Sequence, residues 1–337
     1  MKKALRFTGL FLLAGNLIFA KPVNTATAMQ VAENFYTQTT HNDINTIALV
    51  YTANASSGKA LYYVYNINSG FVIITADDAA QPVIGYSTER NFEVPEAGST
   101  IGIWLKKRGE EIAYVQDKNL PADAIIAQKW SNYTHGIADR QYYSTQSAAG
   151  PLCTTTWNQS PNYNALCPGG SVTGCVATAM SQIMKYWNYP ATGQGSSSYN
   201  AGQWGILSAN YGATTYNWAN MPNYISGPNL DVATLNYHAG VSVEMSYSPS
   251  GSGAWVCSFD DPVCAQNSYV AYFRYDPNTI QGLARADYDD STWVSMMKSD
   301  IDLGRPVQYA GWDPNEGGHT WVCDGYDQNN FLHMNWG

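Results

Sequence analysis

The chain has 337 residues, enough for two compact domains, and a formal charge of −9 without any lysine- or arginine-rich cluster, which argues against a nucleic-acid partner. Only 13% of residues are charged, while Tyr (25) and Trp (11) are abundant, so the surface is held in water by neutral polar groups, and the composition is not that of a disordered protein. Residues 1–20 read as a secretory signal. Lys2, Lys3 and Arg6 precede the apolar run Phe7–Phe19, and Ala20 is a small residue suited to cleavage. That run is too short for a membrane anchor and is interrupted by Gly15 and Asn16, so no membrane span is expected once the signal is removed.

After the signal, Thr27–Tyr36 is predicted helical, with Met29, Ala32, Phe35 and Tyr36 on one side. Strand-like runs follow at 47–51, 61–67, 71–75 and 83–86, separated by turn residues such as Asn68–Ser69–Gly70. Ile101, Trp104, Leu105, Ile112 and Val115 predict an amphipathic helix whose wet side carries Lys106, Lys107, Arg108, Glu110 and Glu111. This α+β unit holds no recognisable chemistry; His41 and Asp43 are neighbours in a polar loop. From Asp117 to Gly150 the periodicity fades, and the polar stretch ending at Ala148–Ala149–Gly150–Pro151 is expected to be a linker open to proteolysis.

The second half starts with Thr154–Gln159, a strand or turn leading toward Thr173–Gly174–Cys175. Val176, Ala179, Met180, Ile183 and Trp187 then recur at helical spacing until Asn188–Tyr189–Pro190 stops the helix. Cys175 therefore stands at a helix N-terminus, where unsatisfied amides favour an anion and a thiol is expected to lose its proton more readily. Residues 190–216 look like loops with short strands, 231–242 helical, 247–254 a Ser/Gly loop, 273–280 extended and 291–303 helical. Strands at 306–312, 319–324 and 331–335 close the chain.

A thiolate nucleophile needs a base held by a third group. Of five histidines, His319 follows Gly317–Gly318 at the start of an apolar strand, about 144 residues after Cys175, within the range expected for a papain-type pair. His238 reads as a structural or exposed helix residue and His333 as a half-buried strand residue. Cysteine spacing suggests local bridges Cys153–Cys167 and Cys257–Cys264, leaving Cys175 and Cys323 either joined to each other or free. Zinc, Walker-type nucleotide and Gly-x-Ser-x-Gly motifs are missing from the sequence, and the acid pairs Asp260–Asp261 and Asp289–Asp290 are a weak calcium signal.

Thr173–Gly174–Cys175–Val176–Ala177–Thr178–Ala179 with Gln182–Ile183–Met184–Lys185–Tyr186, Gly317–Gly318–His319 with Asp324–Gly325, and Asn335–Trp336–Gly337 occur in the order seen in the streptopain family of secreted bacterial cysteine proteases. Gly240–Met245 before the Ser/Gly loop is also similar, and the first half resembles that family's inhibitory propeptide. The resemblance implies an α+β, papain-like catalytic domain (a helix packed on a twisted antiparallel sheet) at 146–337, preceded by an α+β inhibitory prodomain at 21–145 with its activation linker at about 125–150. It implies Cys175 as nucleophile, His319 as base and Gln159 as side-chain donor of the oxyanion hole. Asn335 or Trp336 would orient and shield His319, and Ser252 and Gly318 would contact the substrate backbone. No cofactor or metal is implied; the expected partners are protein and peptide substrates and the chain's own prodomain. Family members continue past the segment matching Trp336, so further cleft-forming residues are expected beyond Gly337. A papain-like binding or adhesion protein without turnover, or an enzyme transferring acyl or glutamine groups, would present the same surface and the same thiol.

Overall fold

A computed structural model describes residues 21–96, 99–137, 148–314 and 317–337. The predicted signal segment lies outside the described residues. The chain divides into two compact units, Met1–Gln141 and Tyr142–Gly337.

In the first unit, helix α1 (Thr25–Thr40) begins where the Asn24 side chain accepts the Thr27 amide and ends at His41 in the left-handed conformation. Strands β1 (Ile47–Asn54), β2 (Ala60–Ile67), β3 (Gly70–Thr75) and β4 (Val83–Ser87) form an antiparallel meander in sequence order. Asn68, at φ 53°, turns the β2–β3 hairpin and donates to the Asp43 carbonyl, so the loop carrying His41 and Asp43 serves turn geometry. Helix α2 (Thr100–Lys118), capped by Ser99, buries Leu105 and Ile112 against Leu61, Tyr62, Val64 and Ile73 of the sheet. Helix α3 (Ala124–Thr134) corrects the expectation of a linker from residue 125. Asp123 caps it, Trp130 and Tyr133 are buried, and the Trp130 indole donates to the Ala80 carbonyl at 2.8 Å. The helix is held by tertiary contacts from two bulky aromatics more than by a regular apolar stripe, which is why periodicity alone did not show it. Residues 138–147 of the expected linker lie outside the described residues.

The second unit is built on helix α4 (Cys175–Trp187), in which every residue from Cys175 to Met184 is buried. A helix enclosed on all sides is a core element, not a surface one. Strands β5 (Ser197–Asn200) and β6 (Ile206–Ala209) form a short ribbon, and helices α5 (Leu230–Ser242), α6 (Ala265–Phe273) and α7 (Asp290–Asp302) follow. Helix α6 was not expected, and 273–280 is not a strand: Phe273 closes the helix and Arg274 ends it in the left-handed conformation. The last three strands, β7 (Val307–Asp313), β8 (Gly317–Tyr326) and β9 (Leu332–Asn335), form an antiparallel sheet in sequence order. One face of that sheet meets α4 through Val322, Ala179 and Ile183; the other meets α7 through Cys323, Tyr326, Met297 and Ile301. Met180, Met184, Leu235, Phe273, Tyr211 and Trp157 share the large core beside α4, each fully buried apolar side chain contributing on the order of 2 kcal/mol.

All six cysteines are free. Cys153 packs with Ala179, Ile183 and Val322, whereas Cys167 and Cys175 belong to the large core and Cys323 to the α7 side, which separates Cys153 from Cys167 and Cys175 from Cys323; Cys257 and Cys264 are likewise unbridged. The acid pairs also have local duties. Asp289 caps α7 by accepting from Thr292, Asp290 pairs with Arg285, and Asp261 accepts the Val263 amide. Among the described residues no three metal-ligating side chains cluster, and no helix is long and apolar enough to cross a membrane.

Candidate active site

Three segments meet at the start of α4. The first carries Gln159, whose carbonyl accepts the Thr173 amide at 3.2 Å and so aligns residues 157–159 beside the turn that presents the thiol. Trp157 anchors this segment from below: it is buried, and its indole donates to the Pro222 carbonyl at 2.8 Å. Gln159 itself is half-buried.

The second is the turn Thr173–Gly174–Cys175. Gly174 adopts φ 86° and ψ 139°, and a Cβ there would lie 2.6 Å from Met245 Sδ and 3.0 Å from the Ser252 carbonyl oxygen. Only glycine meets both conditions. Gly174 also gives α4 no side-chain cap, so the first amides of the helix are left for another acceptor. The Thr178 hydroxyl fixes the turn from inside the helix, sharing a 2.7 Å bond with Thr173 Oγ1 and donating to the Gly174 carbonyl at 3.1 Å.

The third segment is β8. The Thr320 amide stands close enough to the Cys175 sulfur to favour its thiolate, as do the amides of Val176 and of Cys175 itself. Thr320 is the residue after His319, so the fold brings the thiol and the histidine-bearing strand together. Thr320 is buried, and its hydroxyl is tied to the Tyr309 carbonyl at 2.6 Å, which fixes β8 against β7 at this point. His319 is half-buried and Gly318 exposed at the beginning of the strand.

One expectation is reversed. Burial pushes the Cys175 thiol above its ordinary pKa, and the three amides, which pull the other way, do not offset it. A helix N-terminus favours the thiolate, but removing the sulfur from water costs more. The balance is toward the neutral thiol.

The remaining predicted residues separate by what they touch. Ser252 is buried, and its hydroxyl donates to the Val172 carbonyl (2.8 Å) and accepts the Ser248 amide (3.0 Å). Its side chain thus joins the Ser/Gly loop to the turn that carries Cys175. Asn335 donates through Nδ2 to the Thr155 carbonyl at 2.7 Å, and Trp336 lies against Trp321 with ring centroids 4.8 Å apart. His238 and His333 are structural. His238 Nδ1 is 3.0 Å from the Tyr216 hydroxyl, and burial lowers its pKa to about 4. His333 Nδ1 is 2.6 Å from Asp324, a fully buried carboxylate that also accepts the Cys153 amide at 2.8 Å. Sequence reasoning did not single out Thr155, Gln182 or Thr320; each is an ordinary polar residue whose part is set by what lies across from it.

Residues 20–112 match the Spi protease inhibitor family, and residues 157–337 match the Peptidase C10 family. The chain is 30% identical to the thiol protease/hemagglutinin PrtT of Porphyromonas gingivalis, over all of this chain and 40% of that protein. It is 29% identical to streptopain of Streptococcus pyogenes, over 82% of this chain and 70% of streptopain. Among solved structures, a fragment of prointerpain A from Prevotella intermedia, with a cysteine-to-alanine substitution, superposes with a TM-score of 0.68 at 31% identity, covering 87% of this chain and 88% of that one. Active interpain A gives a TM-score of 0.51 at 34% identity, over 59% of this chain and 85% of its own. With an inhibitor-type first unit and a second unit matched from Trp157 to Gly337, this chain belongs to the Peptidase C10 family.

Proposed function

We propose that the chain is the precursor of an exported cysteine endopeptidase that cleaves proteins and is held inactive by its own first unit. The observation that carries this reading is Cys175 at the uncapped start of a helix buried from Cys175 to Met184, its sulfur beside the amide of the residue next to His319. The Peptidase C10 match over the same half favours an enzyme over a binding protein without turnover.

In the reaction, His319 takes the proton of Cys175, and the sulfur attacks the peptide carbonyl. The developing oxyanion is met by the Cys175 amide and the Gln159 side chain, donors that act on charge present only as attack proceeds. Collapse of the tetrahedral adduct breaks the C–N bond, and His319 protonates the departing amine. Water, deprotonated by His319, then hydrolyses the thioester and regenerates the thiol. Asn335 and Trp336 hold and shield the imidazole, while Gly318 and the main chain at Ser252 receive the substrate backbone. No metal or cofactor enters this scheme.

The first unit, matched to protease inhibitors over residues 20–112, keeps the precursor inactive, and cleavage in the stretch after α3 separates the two. The predicted signal at 1–20 directs export. Purified Cys175→Ala chain should remain full-length under conditions in which the parent shortens to a stable second unit. Shortening of that variant at the parent rate, with no other protease present, would overturn the assignment.

A further inference from the structure

Helix α4 carries a second polar contact one turn beyond Thr178. Gln182 is completely buried, and its Oε1 accepts the Thr155 hydroxyl at 2.9 Å. Its Nε2 finds no hydrogen-bond acceptor among the described residues, so the bond to Thr155 is what orients the amide. The carbonyl of the same Thr155 accepts Asn335 Nδ2 at 2.7 Å. Thr155 is therefore gripped at two points, by its side chain on α4 and by its main chain on the end of β9. The Asn335–Trp336–Gly337 segment also rests on α4 directly: a Cβ built on Gly337 would lie 3.0 Å from Thr178 Cγ2 and 3.7 Å from Gln182 Nε2.

A primary amide in a buried stretch of helix is costly to bury, and a methionine of similar size would fill the space without that cost. The geometry points to what the amide gives in return. We propose that Gln182 is a positioning residue for the peptidase reaction: by holding Thr155 it fixes the carbonyl on which Asn335 is anchored, and so sets where Asn335 and Trp336 meet His319. The nucleophile and the support of its base are then referenced to one rigid helix, with Thr178 fixing the Cys175 turn and Gln182 fixing the far side. This rests on the roles proposed for Cys175, His319, Asn335 and Trp336.

The test uses the processed enzyme and four variants: Q182M, T155V, T155S and the double variant Q182M/T155V. Q182M and T155V should each lower kcat by about tenfold, the worth of one net buried hydrogen bond, with KM held within about twofold. Each should also move the alkaline limb of the kcat/KM profile to lower pH, because a less well supported imidazolium loses its proton sooner. T155S, which keeps the hydroxyl, should restore both, and the double variant should lose no more than the worse single one, since both changes break the same bond. Unchanged kcat in folded Q182M and T155V, an effect confined to KM, an unmoved pH limb, or losses that multiply in the double variant would each overturn the proposal. If Q182M does not fold, the T155V and T155S pair decides it alone, because T155V replaces only the hydroxyl by a methyl, whereas T155S keeps the hydroxyl and loses only the methyl. Cys175→Ala is run alongside: activity surviving in that variant overturns the underlying reading, whereas a silent Cys175→Ala with fully active Q182M and T155V overturns only the positioning role.

Discussion

Ser252 Oγ donates to the Val172 carbonyl at 2.8 Å, and that bond ties the Ser/Gly loop to the turn presenting Cys175. The same oxygen accepts the Ser248 amide, so the hydroxyl closes its own loop while holding the neighbouring one. Ser252→Ala removes a buried group with partners on both sides, and stability should fall by about 1–2 kcal/mol. The measurement is a urea titration in the Cys175→Ala background, where self-cleavage does not interfere. A midpoint equal to the parent's would show that the bond contributes nothing.

Gln159 offers a separable test of the oxyanion hole. Its main chain is already committed to Thr173, so Gln159→Ala should leave the turn in place and remove only the side-chain donor. Loss of such a donor lowers kcat by about 10²–10³ with little change in KM. Alkylation of Cys175 in the same variant should proceed at the parent rate, because the amide stabilises the adduct and not the thiolate. A variant with normal kcat would remove Gln159 from the mechanism.

The elements that could be read from the sequence are those whose signal is local. The meander of the first unit, α1, α2 and the start of α4 all announce themselves through period and turn chemistry, and α4 stops at Asn188 as Pro190 requires. Helices α3 and α6 were missed because their aromatic and β-branched residues read as strand or as nothing. They are helical because Trp130, Tyr133, Tyr269 and Phe273 find buried sites elsewhere in their units. The site shows the same division. Cys175 and His319 stand in motifs that suggest their roles, whereas Gln182 stands in the Cys175 motif without one, and only the packing of Thr155 and Gly337 over it shows that its face is closed. The thiol pKa was misjudged for a related reason: the helix start is visible in sequence, but the depth of burial that opposes it is not.

That burial makes a prediction of its own. In a His319→Ala chain, which the proposed mechanism leaves without its base, alkylation of Cys175 by iodoacetamide reports the thiol alone. Because burial holds the proton on sulfur, the rate should be low at neutral pH and climb through the alkaline range without levelling off below about pH 9. Peptide mass spectrometry assigns the label to Cys175 among the six cysteines. A rate already on its plateau at pH 7 would mean that the helix amides prevail over burial after all.

His238 links stability to pH because burial shifts its pKa on folding. It is buried on α5, its Nδ1 is 3.0 Å from the Tyr216 hydroxyl, and the Tyr211 ring stands edge-on with centroids 5.4 Å apart. Burial lowers its pKa from the ordinary 6.5 to about 4. Between those two values the unfolded chain binds a proton that the folded chain refuses, so stability rises with pH across this window and is lost as pH falls through it. A shift of this size corresponds to roughly 3 kcal/mol at neutral pH. His238→Gln keeps a polar partner for Tyr216 and cannot titrate. Urea midpoints of the Cys175→Ala chain with and without this second change should therefore diverge with pH between 6.5 and 4, the glutamine variant having the flatter profile. Two parallel curves would show that His238 takes up its proton as readily in the folded unit as in the unfolded chain.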